Sequence, residues 1–154
     1  MNLSKEDILI ALRKIDFLDR VDELAKKYRK MNPKPPIDKK KIFEMIKRYG
    51  YDSGYEYSEF YLKNQEIGNL RFEMQICLKS AIVDVYWNVY EDEQFVFGGP
   101  WLRFKRALLG TLDCNCPNAS FTSYEKLDEI FSIVFKMYED FKDAVVEAQK
   151  RNDE

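Results

Sequence analysis

The chain has 154 residues, 45% of them hydrophobic and 34% charged, with a net charge of −2 and no histidine. That length suits one domain burying roughly 68–70% of its unfolded surface, and no apolar run approaches the ~20 residues of a bilayer span, so an integral membrane protein is not expected. The missing histidine excludes Ser-His-Asp and Cys-His catalysis, HExxH zinc sites and imidazole acid–base chemistry.

Ser4 with Asp7 three positions on resembles a capping box, and Ile8, Leu12, Ile15, Leu18, Val21, Leu24 and Tyr28 then recur at three- and four-residue steps. The pattern predicts one amphipathic helix, or two broken near 16–19. Asn32-Pro33-Lys34-Pro35-Pro36 ends it, because proline removes an amide donor and restricts its predecessor. Asp38 is the expected N-cap of the next helix, with Ile42, Phe43, Met45, Ile46 and Tyr49 inward and Gly50 as its stop. The acidic, directly amphipathic start lacks the basic-then-apolar order of a signal peptide. Three cysteines, an odd number, suit a reducing compartment, so the expected location is the cytoplasm.

Alternation from Tyr55 to Lys63 predicts a first strand. The strongest β signal follows, from Leu70 to Tyr90. Leu70, Phe72, Met74, Ile76 and Leu78 alternate with Arg71, Glu73, Gln75, Cys77 and Lys79; after Lys79-Ser80, Ala81, Val83, Val85, Trp87 and Val89 alternate with Ile82, Asp84, Tyr86, Asn88 and Tyr90. Period two across a short joint predicts an antiparallel hairpin. Glu91-Asp92-Glu93 turns toward a fourth short strand, Gln94 to Phe97. Gly98-Gly99-Pro100 then punctuates the chain, Trp101 to Leu109 reads as a short helix, and 110–119 as irregular. Thr122 with Glu125 forms a capping box that opens a last helix, striped by Leu127, Ile130, Phe131, Val134, Tyr138, Phe141, Val145 and Ala148, with 149–154 fraying.

The expected fold class is therefore α+β: an antiparallel meander of three to four strands, with N-terminal helices and a long C-terminal helix packed mainly on one face. A single domain, 1–154, would hold a helical segment 1–50, the sheet 55–97, the short helix 100–109 and the C-terminal helix 123–150. The uncovered face then carries Tyr57, Tyr61, Arg71, Glu73, Gln75, Asp84, Tyr86, Asn88 and Tyr90.

Chemistry is sparse. There is no GxxxxGK[ST] phosphate loop, no GxGxxG after a strand and no GxSxG elbow. Glu73 and Asp84 on neighbouring strands leave room for carboxylate catalysis or a small-ligand site, against the plainer reading of solvated acids. Cys114 and Cys116, with Cys77, fall short of four zinc ligands, so no metal, no cofactor and no catalytic residue is expected. Trp101 reads as a core plug before a rim residue. Charge is the more distinctive feature: ten Lys and Arg against Asp38 and Glu44 make the window from Lys26 to Arg48 +8, so the remainder of a chain at −2 carries −10. Lys39, Lys40, Lys41, Lys47 and Arg48, with Arg103, Lys105 and Arg106 if the fold brings them near, would form a nucleic-acid-binding surface. The acidic total, and the absence of aromatics interleaved with these cations, favour solvated helix ends instead.

Ten tyrosines, several on one sheet face beside acids and amides, match recognition surfaces. The expected function is protein binding without catalysis. A small acidic chain with helices flanking a meander such as Leu70 to Phe97, and a capped helix from Thr122, resembles the immunity proteins of bacterial polymorphic-toxin and contact-dependent inhibition systems. The resemblance rests on architecture rather than motif, so no functional residue carries over. It implies stoichiometric inhibition of a cognate toxin, often a nuclease, by surface complementarity. On that reading Asp84, Tyr86, Asn88 and Tyr90 make the contact, and Glu91, Asp92 and Glu93 steer a basic partner. A homodimer through the Tyr-rich face is the remaining alternative for that surface.

Overall fold

A computed structural model of the chain describes residues 2–29 and 35–154. Ser4 caps α1 (Lys5–Lys14) in a complete capping box, its hydroxyl accepting the Asp7 amide while the Asp7 carboxylate accepts the Ser4 amide. The helical run breaks at Asp16, whose backbone enters the left-handed region at φ 56°, and α2 (Phe17–Lys27) follows. Arg20 fastens the break, donating to the Ile15 carbonyl at 3.2 Å and to Asp140 at 2.9 Å. The proline segment expected to end this run lies mainly outside the described residues; α2 has already stopped before it. Asp38 caps α3 (Lys39–Arg48) by accepting the Lys41 amide.

The stretch expected as one strand from Tyr55 to Lys63 is instead a hairpin, β1 (Ser53–Glu56) and β2 (Glu59–Leu62), turning on Tyr57 and Ser58 at φ 51° and 64°. Two-residue turns of this hand suit strand twist and usually use Asn-Gly. Tyr-Ser carries no such signal. Tyr57, expected on the open face, therefore sits in the turn, 91% exposed. Gly54 pairs with Tyr61, whose ring folds over it from β2 where a Cβ would meet the end of that ring. Next come β3 (Glu66–Ile67), β4 (Leu70–Cys77), a 3₁₀ turn at Lys79–Ala81, β5 (Ile82–Glu91), β6 (Gln94–Pro100), α4 (Trp101–Leu109), β7 (Ala119–Ser120) and α5 (Tyr124–Asn152). All pairings are antiparallel, in the order β1-β2-β4-β5-β6, with β3 on β4 and β7 on β5. The meander is longer than the three or four strands expected, and β6 runs to Pro100 rather than Phe97.

The fold is α+β, and the helices cover the face that the alternation marks as inward. Leu70, Phe72, Met74 and Ile76 of β4 and Val83, Val85, Trp87 and Val89 of β5 are buried there. Phe141 of α5 stacks on Trp87 with centroids 4.7 Å apart, and Trp101, Phe17 and Phe104 close around the same indole. Rings of this size stabilise by about 1.5–3 kcal/mol each when fully buried, and they fix how α2, α4 and α5 sit on the sheet. Trp101 is thus a core plug, 3% exposed. The tail expected to fray from residue 149 remains helical through Asn152, because its side chains are tied down. Gln149 donates to Asn69 at 2.8 Å and to Glu91 at 2.7 Å, and Asn152 donates to the Asn2 carbonyl at 3.2 Å. No helix among the described residues is long and apolar enough to cross a membrane.

Candidate functional site

The face of the sheet away from the helices is organised in rows by the strand register. Gln75 lies between Tyr61 and Tyr86, Glu73 opposite Asn88, Arg71 opposite Tyr90, and Cys77 opposite Asp84. Continuing the β2–β4 register by one residue sets Glu59 abreast of Cys77, which makes Glu59, Cys77 and Asp84 one row across three strands. Asp84, Tyr86, Asn88 and Tyr90 do share this face, as their alternation predicts. Glu73 and Asp84 do not face each other, being four residues apart along the ladder, or roughly 13 Å. The carboxylate pair imagined between them is not formed.

The two ends of the face differ electrostatically. At one end Arg71 is fully engaged. Its Nε donates to Glu93 at 3.0 Å, it meets Glu73 at 3.3 Å, and its guanidinium lies 4.0 Å from the centre of the Tyr90 ring. Phe95 closes on Tyr90 edge-on at 5.6 Å, and Asn88 donates to Glu73 at 3.3 Å. At the other end the acids meet no cation. Burial pushes the Asp84 carboxyl above the usual carboxylate range, although Tyr86 donates to it at 3.3 Å. Burial also raises Glu59, and the charge of Asp84 raises it further. Tyr86 is raised in turn by its own burial and by both acids. Two part-dehydrated carboxylates thus share one patch without a counter-ion among the described residues.

Three acids expected to steer a partner are placed differently. Glu91 is a correction: it points to the helix side, is fully buried, and accepts from the amides of Asn2 and Leu3 and from Gln149. It sits at an odd position in the alternation, so a strand running through it must turn it inward. Asp92 and Glu93 form the β5–β6 turn at φ 50° and 63°. Asp92 accepts from Asn69, and Glu93 pairs with Arg71. Glu59 was the residue missed, because the hidden β1–β2 turn obscured its register.

The basic segment does not form a free patch. Lys39 lies over Tyr55 at 4.1 Å and Lys41 over Tyr124 at 4.3 Å, while Lys47 pairs with Asp52 and Arg48 with Asp128. Lys40 is exposed. Lys30 and Lys34 fall outside the described residues. Cys77, Cys114 and Cys116 are free thiols, and burial raises the Cys116 pKa. Among the described residues no group of three His, Cys, Asp or Glu is placed to hold a metal.

No protein-family model matches the chain, and no curated protein or solved structure matches it.

Proposed function

We propose that the chain is a non-enzymatic protein-binding domain whose open sheet face holds a cationic segment of a partner protein. One observation carries the reading: Asp84 and Glu59 are held partly out of water beside Tyr86 and Tyr61 with no cation among the described residues to compensate them. A partner lysine or arginine placed there restores both carboxylates to their ordinary range and is flanked by rigid aromatic area, the composition of interface hot spots. The resemblance to toxin-immunity proteins fits this chemistry, since a nuclease must present cations to phosphate and an acidic face can occupy them. The proposal therefore extends to stoichiometric inhibition of such a toxin in the cytoplasm.

The test uses Asp84→Asn and Tyr86→Ala, separately and together, in affinity capture from source-organism lysate, with the recovered protein then purified and titrated. A basic protein is expected, bound one to one, with affinity falling at least about tenfold in the double variant and falling again with added salt. A recovered partner indifferent to both changes, or no recovered protein, overturns the reading. Asp84→Asn also separates binding from folding. Because the folded Asp84 pKa is raised, its ionisation costs stability once pH rises through that value. The variant should therefore melt no lower than wild type at neutral pH, and up to about 2–4 °C higher.

A further inference from the structure

A cleft of about 670 Å³ runs along α4, between that helix, the start of α1 and the end of β6. Lys5, Arg103 and Arg106 line it together with Phe97, Leu102 and Leu112, and no Asp or Glu contributes to its wall. Its volume is that of a small-molecule site rather than of a protein interface.

The three cations are conspicuous for what they lack. Lys5 and Arg103 both lean on one aromatic ring, 5.2 and 5.1 Å from the centre of Phe97, and neither forms an ion pair among the described residues. Arg106 keeps its Nε–H buried with no acceptor among the described residues, although a buried donor is normally matched. Three positive charges around one concavity repel one another unless an anion sits between them. Apart from Thr111 the remaining side chains of the wall are apolar, and Leu112 stands 80% exposed at its rim.

We infer that this cleft binds a small soluble amphiphilic anion: one phosphate, sulfate or carboxylate head held by Arg103, Arg106 and Lys5, and an aromatic or short acyl body laid against Phe97, Leu102 and Leu112. The inference does not depend on the sheet face, which lies on the other side of the sheet.

Phenyl phosphate carries both parts of this chemistry, inorganic phosphate only the head, and benzyl alcohol only an uncharged body. Each is titrated into the full-length chain and followed by amide chemical shifts. Phenyl phosphate is expected to saturate, with shifts confined to the amides of residues 5, 97 and 102–112, and to bind at least about tenfold more tightly than either fragment. Arg106→Gln and Arg103→Gln should each weaken it by about tenfold. Leu112→Ser should weaken phenyl phosphate and leave inorganic phosphate unchanged. Thermal midpoints identify any variant that fails to fold, and the two arginine variants serve as checks on each other. Equal affinity for phenyl phosphate and inorganic phosphate, or shifts spread beyond the cleft, overturns the inference.

Discussion

Glu91 lies one position from an exposed turn yet is fully buried, and it gathers three donors from two distant parts of the chain: Asn2 and Leu3 at the N-terminus and Gln149 of α5. Burial alone would raise its pKa, but the Leu3 amide, the Gln149 side chain and the Asn2 amide outweigh that and hold it below the ordinary glutamate value of 4.5. Between the folded and the ordinary value the unfolded chain binds more protons, so this carboxylate contributes stability that is complete above the ordinary range and is lost as pH falls through the folded value. Glu91→Gln keeps the shape but offers one acceptor in place of two and turns an amide donor toward donors. At pH 7 it is expected to cost about 1–3 kcal/mol in urea denaturation, with the gap to wild type closing as pH falls from 5 toward 3. A gap that stays constant across that range would show that the charge is irrelevant. The contrast with Asp84 is instructive: one acid is saturated with donors and structural, the other is short of them and left for a partner.

At the scale of elements, the β5–β6 pair makes a close backbone contact at Gly98. Asn88 of β5 lies opposite Gly98 of β6, where a Cβ would approach the Asn88 Cα and the Trp87 carbonyl oxygen to 2.5 Å. Backbone cannot yield that space cheaply, so Gly98→Ala should part β6 from β5 and loosen Trp87 beneath it. The expected cost is about 2–4 kcal/mol by denaturation, with the amides of 94–100 losing hydrogen-exchange protection first. Retained protection there, with normal stability, would contradict the close approach. That contact could not be read beforehand, since Gly98-Gly99-Pro100 looks like simple punctuation. The long elements were legible because one face of each is buried: the period-two run through Phe72 and Trp87, and the helical stripe through Phe131 and Phe141, each write the core into the sequence. Where conformation is set by positive φ at residues that rarely adopt it, as at Tyr57, Ser58, Asp92 and Glu93, the sequence is silent. Hence the alternation from Tyr55 to Lys63 reads as one strand although the chain turns at Tyr57 and Ser58. Asp84 and Tyr86 of the site were visible from alternation, while the row joining them to Glu59 depended on that unread turn.

Over the whole molecule the charge split of +8 against −10 is partly compensated in space, three of the ten cations of the basic window being ion-paired. Lys26 pairs with Asp22, Lys47 with Asp52 and Arg48 with Asp128. Such exposed pairs add little to stability. They matter for the field, because a phosphate arriving from beyond a Debye length meets neutral pairs rather than bare cations. Among the described residues Lys27, Arg29 and the run Lys39, Lys40 and Lys41 remain without an ion pair, but consecutive helical residues of that run point about 100° apart. Two of these three are also held against different neighbours, Lys39 on Tyr55 and Lys41 on Tyr124. One nucleic-acid strand cannot follow all of them. The logarithm of affinity for single strands falls with log salt by about 0.7 per phosphate engaged, so two contacts give a slope near −1.4 and five near −3.5. Anisotropy titrations of a 20-residue oligonucleotide between 25 and 200 mM salt are expected to return the shallower slope with weak binding throughout. The steeper slope, abolished by changing Lys47 and Arg48 to glutamine, would mean that these cations leave Asp52 and Asp128 for phosphate and act together. The shallower slope leaves the Asp84 row and the cleft along α4 as the places where like charges converge without an ion-pair partner among the described residues, whereas Lys39, Lys40 and Lys41 point apart.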